Sequence, residues 1–216
     1  MSKVCIRLFL KGVIMKGKTH AGVGIVTFLS LYNSLPEKSN YIGIIVVILA
    51  SILPDIDHPK SVINKYILPF KNKATKIILY MCIGVILLWY DYLYTKEPII
   101  KALGISFIII AISSHRNGLT HSLSGMIIFS FIAGYIGNMY NIHYLVYYFM
   151  IGYGMHLLCD MTTNRGVPLL YPFKSKKVKF PVTYKTNSKL GTTIEELLAI
   201  FGLLFAIYKI PMIFCK

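Results

Sequence analysis

Apolar runs alternate along the chain with short polar segments, and the runs are too long and too unbroken for ordinary strands. They predict seven helices, at 20–35, 41–53, 77–94, 99–113, 122–137, 142–158 and 194–213. Several fall short of the roughly 20 residues that cross a bilayer squarely. The runs at 41–53 and 99–113 are the shortest, and each could be re-entrant or extend into its flanking polar motif. Strands are disfavoured, because an open sheet edge leaves backbone groups unsatisfied in lipid. The pattern predicts an all-α integral membrane bundle of about six or seven helices.

Composition strengthens that expectation. Of the 216 residues, 56% are hydrophobic and only 14% are charged, whereas a soluble domain is roughly 45–50% apolar and about 25% charged. Too little polar surface remains to cover a water-soluble globule. The net charge of +15 raises the possibility of nucleic acid, but the lysines lie in the loops between apolar runs. That distribution fits anionic lipid headgroups and makes a nucleic-acid partner unlikely. Cys5, Cys82, Cys159 and Cys215 form no C-x-x-C pair and no disulfide framework. Residues 1–17 read as an extension with no signal-peptide core, and Met15 is an alternative start. The main membrane domain is expected over 18–172, a basic loop over 173–193 with a hairpin near Val178–Val182, and a last membrane helix over 194–216.

Charge also orients the bundle. With the N-terminus cytoplasmic, the inner segments 1–19, 54–76, 114–121 and 159–193 carry 18 of the 23 Lys and Arg residues, as the positive-inside rule requires.

The same threading gathers the chemistry. Five of the six histidines and three of the eight carboxylates fall in four clusters. These are Thr19-His20; Leu53 to Pro59, with Asp55, Asp57 and His58; His115 to Ser122, with Arg116 and His121; and His156 to Asp160. All four lie on the cytoplasmic side of the predicted topology. Ionisable groups at membrane depth are costly and point to function, and His with Asp is a ligand set for zinc and related metals.

Each cluster alone has a plainer reading. His156 and Asp160 stand four apart, one helical turn, and a buried His–carboxylate pair is as common as a metal site. Asp55 and Asp57 could point the same way in extended backbone, or cap a helix through an Asx-turn. His115 and His121 flank a turn permitted by Gly118, where Thr120 or Ser122 could cap the next helix and Arg116 could grip an anion bidentately. His20 gains weight only from topology. His143, among Tyr140, Tyr144, Tyr147 and Tyr148, reads as part of an aromatic belt on the opposite face. Glu195-Glu196 reads as the acidic start of the last helix; no arginine follows at the spacing of a paired-glutamate membrane protease. H-x-x-x-H boxes of a membrane desaturase are absent.

In this order the clusters resemble the YdjM-type family of inner-membrane metal-dependent hydrolases. That family's pattern runs T-H, L-P-D-I-D-H-P, H-R-x-x-T-H-S, then H-x-x-x-D-x-x-T and G-x-P. Here it is carried by Thr19-His20, Leu53 to Pro59, His115 to Ser122, and His156, Asp160, Thr163, Gly166 and Pro168. The two loop histidines stand six apart, where the family spacing is five. The likeness spans about 18–172, and it is more distantly similar to the zinc phospholipase C and single-strand nuclease folds.

The resemblance and the shared address imply a divalent metal, zinc being the expected ion, with its number open. The expected ligands are His20, Asp57, His58, His115, His121, His156 and Asp160. Asp55 would serve as general base or as a further ligand, and Arg116 and Ser122 would contact substrate. The expected reaction is hydrolysis of an ester or phosphoester of a lipid or lipid-linked substrate at the cytoplasmic face, with membrane lipids as partners. Two other classes stand beside it. A metal or proton transporter would place its His and Asp near mid-bilayer, and a non-catalytic adaptor would bind a cytoplasmic partner through basic loops.

Overall fold

The computed structural model describes residues 15–35, 41–113, 118–186 and 188–214. Among them the protein is all-α. The helices are α1 (Met15–Leu31), α2 (Tyr41–Ile52), α3 (Asn64–Ile67), α4 (Lys73–Tyr90), α5 (Pro98–Ile112), α6 (Leu123–Met139), α7 (Leu145–Met161) and α8 (Lys189–Phe214). No strand forms among the described residues. In place of the hairpin expected near Val178–Val182, two isolated bridges tie Thr163 to Tyr184 and Val167 to Val178.

Local chemistry sets several helix ends. Asn72 caps α4 by accepting from Thr75 N at 2.8 Å, and Ser122 caps α6 by accepting from Gly125 N at 3.1 Å. Pro98 opens α5, where its missing N–H costs no helical bond. Pro54 stands at the start of a 3-10 turn, Leu53–Asp57, that ends the α2 run and carries both aspartates. A second 3-10 turn, Leu119–His121, leads into α6.

Helices α1, α2 and α7 pack on one another; α6 lies against α7, α5 joins α6 to α4, and α8 packs on α1. The α2–α7 approach is close because Gly152 has no side chain. A Cβ there would collide with the Val47 carbonyl and lie 2.9 Å from Ala50 Cβ. Two apolar cores result. One joins Ala50, Ile56, Tyr80, Ile110, Tyr153 and Leu157. The other joins Phe28, Leu29, Tyr32, Val47 and Tyr148.

Among the described residues, two helical stretches, Lys73–Thr95 and Lys189–Ile213, are long and apolar enough to cross a membrane, and the α5 and α6 helices are shorter apolar ones. Outward faces are apolar too. On α8, Leu197, Phe201, Leu204 and Tyr208 recur at helical spacing and are exposed, as are Ile78, Val85, Ile86 and Trp89 on α4. Exposed apolar surface on this scale is costly in water and natural against lipid.

Candidate metal centre

The ends of four elements meet at one end of the bundle. His20 comes from the second turn of α1, Asp55 and Asp57 from the turn after α2, His121 from the turn before α6, and His156 and Asp160 from the last turns of α7. His20, Asp57, His121, His156 and Asp160 are buried. Asp55 is the most open, its side chain 16% exposed.

The functional atoms face one another. His121 Nε2 lies 3.4 Å from His156 Nε2, 3.5 Å from Asp55 Oδ1 and 3.5 Å from Asp160 Oδ2. His156 Nε2 lies 3.6 Å from Asp160 Oδ2 and 3.9 Å from Asp55 Oδ1. His20 Nε2 approaches the other oxygen, Asp160 Oδ1, at 3.6 Å, and its ring stacks on that of His156 with centroids 4.0 Å apart. Among the described residues, two groups have the spacing to hold a metal ion: His20, His156 and Asp160; and Asp55, His121 and His156.

These separations are longer than the ~2.7–2.9 Å of a charged N–H···O bond. They match the spacing of atoms around a shared cation. At ligand distances of ~2.0–2.2 Å, the edges of a tetrahedron are roughly 3.3–3.6 Å long.

The outer nitrogens fix the tautomers that such a site needs. His156 Nδ1 lies 2.7 Å from the Ser51 carbonyl. A carbonyl only accepts, so Nδ1 carries a proton and Nε2 is the nitrogen left to face a metal. On His121, Nδ1 faces Asp57 Oδ2 at 3.5 Å and Thr120 Oγ1 at 3.2 Å. Thr120 Oγ1 in turn donates to Asp57 Oδ2 at 2.7 Å, so the threonine oxygen is left to accept from Nδ1. A carboxylate or carbonyl behind a ligating histidine is the usual device that aims its free nitrogen. The donor set of two imidazoles and two carboxylates fits a divalent metal of the zinc type.

The cluster is electrostatically coupled. Burial pushes the His121 imidazole down, but the carboxylates of Asp55 and Asp57 at its two nitrogens, with the charges of Asp57 and Asp160, raise it to about 10. Burial pushes the Asp55 carboxyl up. The His156 charge, the contact with His121 and the charges of His20 and His121 outweigh it, holding Asp55 well below the usual carboxylate range.

Of the residues expected from sequence, His20, Asp55, His121, His156 and Asp160 come together in these groups. Asp57 faces the far nitrogen of His121 instead. His58 belongs to neither group, and its Nδ1 accepts from Lys60 N at 3.2 Å. Ser122 is spent on the α6 cap, its hydroxyl donating to Leu119 O at 2.7 Å. His115 and Arg116 lie outside the described residues.

Supporting residues escaped sequence reasoning. Asn64, fully buried, donates to Ile56 O and His58 O, both at 2.7 Å, and accepts from Tyr80 OH at 2.5 Å. It therefore clamps the turn carrying Asp55 and Asp57. Tyr153 OH donates to Thr120 O at 2.6 Å, one turn before His156 on the same helix. Lys76, only 1% exposed, donates to Ile110 O at 3.0 Å and Ser113 O at 2.8 Å. That anchors the end of α5 just ahead of the segment bearing His115 and Arg116. Of these, only Thr120 stands inside a recognisable motif; Asn64 is one polar residue between two apolar runs.

Replacing Asn64 with alanine is expected to leave two buried carbonyls and the Tyr80 hydroxyl without this partner. The cost is about 1–3 kcal/mol of stability, with a roughly 10–100-fold loss of metal affinity. Thermal melting and metal titration of the detergent-purified variant check both.

The fold and the cluster together define a helical protein with a buried His/Asp centre able to hold a metal ion at one end of its bundle. The chain belongs to the YdjM inner membrane protein family, whose model matches residues 15–214. No curated protein and no solved structure matches it.

Proposed function

We propose that the chain is a multi-pass membrane hydrolase that uses a divalent metal, with zinc as the ion that suits its donor set. The observation that carries this reading is the convergence of His121 Nε2, His156 Nε2 and carboxylate oxygens of Asp55 and Asp160 at 3.4–3.9 Å. When bound, such an ion polarises an ester or phosphoryl oxygen and acidifies a water. His20, His156 and Asp160, or Asp55, His121 and His156, would hold it, and Asp57 and Ser51 aim the two central imidazoles.

Asp55 has a second role open to it. Its lowered pKa keeps it a carboxylate, and it is the ligand candidate nearest solvent. That placement suits it to take the proton of an attacking water. Arg116, beside this site in sequence, would bind the anionic part of an ester or phosphoester. The lysines of 174–189 would hold the site near anionic headgroups. With the cluster on the cytoplasmic side, as the lysine distribution favours, the substrate class is a lipid or lipid-linked phosphoester at that face. The placement of the donors at helix ends favours surface hydrolysis over a transport path through mid-bilayer.

The test is hydrolysis of phosphodiester and phosphomonoester lipids in mixed micelles by the zinc-reconstituted protein, with Asp55→Asn as control. The reading predicts turnover that needs zinc and falls by about 100-fold or more in the variant. Zinc-independent turnover, or none on any ester or phosphoester lipid, would refute it.

A further inference from the structure

Next to the cluster, α1, α7, α8 and the segment 162–186 line a half-open cavity of ≈ 470 Å³, within the roughly 300–1,000 Å³ range of single-ligand pockets. His20 and Asp160 line it; Asp55 and His121 do not. Each helical wall carries a polar side chain at the metal end and an apolar one a turn deeper. On α1, His20 is followed one turn deeper by Val23. On α7, Cys159 and Asp160 are preceded one turn deeper by Met155. On α8, Glu195 is followed one turn deeper by Leu198. The polar side chains stand at the metal end, among Leu158, Phe180 and Ile194, and apolar ones line the depth.

Glu195 belongs to that polar end. It lies in the second turn of α8, 5% exposed, rather than at the helix start where its charge would only meet the dipole. The cavity also has an apolar neighbour outside, since α8 packs on α1 while Leu197, Phe201, Leu204 and Tyr208 of α8 are exposed. An opening beside such a helix meets acyl chains rather than water.

We infer that this cavity takes the single acyl or alkyl chain of an amphiphile whose polar head stands at His20 and Asp160. The inference rests on the hydrolase reading for the head, and adds to it where the chain lies and which residues select it. A chain in this position runs along α1, α7 and α8, parallel to the bilayer chains it left. Val23, Met155 and Leu198 set the depth available to it.

Photolabelling of the full-length, zinc-supplied protein in detergent micelles tests the inference. The probe is a dodecyl phosphonate with a diazirine at the chain end, and adducts are mapped by mass spectrometry. Adducts are expected at Val23, Met155 or Leu198. Excess unlabelled dodecyl phosphonate should reduce them about tenfold, while methylphosphonate should not. Val23→Trp and Met155→Trp, which fill the cavity, should abolish them; the competition in the parent protein decides the matter if either variant fails to fold. Adducts spread over the outward faces of α4 and α8, insensitive to competitor, would overturn it.

Zinc content measured on the same samples separates the two readings. Competable cavity adducts on a protein that binds no zinc would support the chain site and sink the hydrolase. Bound zinc without cavity adducts would do the reverse.

Discussion

Substituting His156 with alanine is expected to lower zinc affinity by more than about a hundredfold, beyond the loss typical of a supporting residue. His156 is common to both ligand groups, so its removal damages each of them. The ring is also held from two sides, by the Ser51 carbonyl at 2.7 Å and by the stacked His20 ring. No neighbouring imidazole can swing into its place without breaking its own contacts. Asp160→Ala should behave alike, because its two oxygens serve different nitrogens, Oδ1 facing His20 and Oδ2 facing His121 and His156. The double variant should be little worse than either single one, as expected for residues acting as a unit. His58→Ala and His143→Ala should stay within about tenfold of the parent. His58 belongs to neither group, and exposed His143 pairs with Asn138 Oδ1 at 3.0 Å. Competition with a chelator, read by elemental analysis of detergent-purified protein, measures all five. A His156→Ala protein that keeps parental affinity would remove the centre as described.

The contrast between His58 and His156 shows how far sequence reasoning reached. Helix positions followed from apolar runs, and the structure moves most ends by only a few residues: 41–53 became Tyr41–Ile52, and 99–113 became Pro98–Ile112. Convergence of the clusters followed from threading, because alternate helices must return their motifs to the same end. The direction of each side chain did not follow. Asp55 and Asp57 would share a face in extended backbone, but the segment is a 3-10 turn, with a period of about three residues. The two carboxylates therefore reach opposite nitrogens of one imidazole, Asp55 the Nε2 and Asp57 the Nδ1 of His121. Glu195 was misplaced for a related reason. The apolar run begins at 194, while backbone hydrogen bonding carries α8 back to Lys189 and turns Glu195 inward. Asn64 was illegible because its value lies in carbonyls brought to it by the turn, and a sequence carries no sign of them.

Zinc affinity is expected to rise with pH by at least about tenfold per unit between roughly pH 6 and 8. The cause is His121. In the metal-free protein its imidazole, raised to about 10 by Asp55 and Asp57, carries a proton throughout that window. A metal at Nε2 must displace that proton, so each unit of pH favours the bound form. Stability of the metal-free protein should move the other way. A histidine raised in the folded state contributes fully below its ordinary 6.5, and that contribution is lost as pH climbs through about 10. A lowered carboxylate such as Asp55 contributes above its ordinary 3.8, and loses that only as pH falls through its folded value. The pair therefore stabilises the metal-free fold most between 3.8 and 6.5, and the gap in melting temperature between zinc-loaded and metal-free protein should widen from pH 6 to pH 8. Asp57→Asn separates proton from metal. It removes one of the charges that raise His121 while keeping the side chain's shape, so the pH slope should flatten. The weaker acceptor behind Nδ1 should still cost roughly 10–100-fold in affinity at pH 8. Calorimetric titration in buffers of different ionisation enthalpy counts the released proton directly. A parent protein that releases none, with affinity flat across the window, would show that the metal does not bind at His121 Nε2.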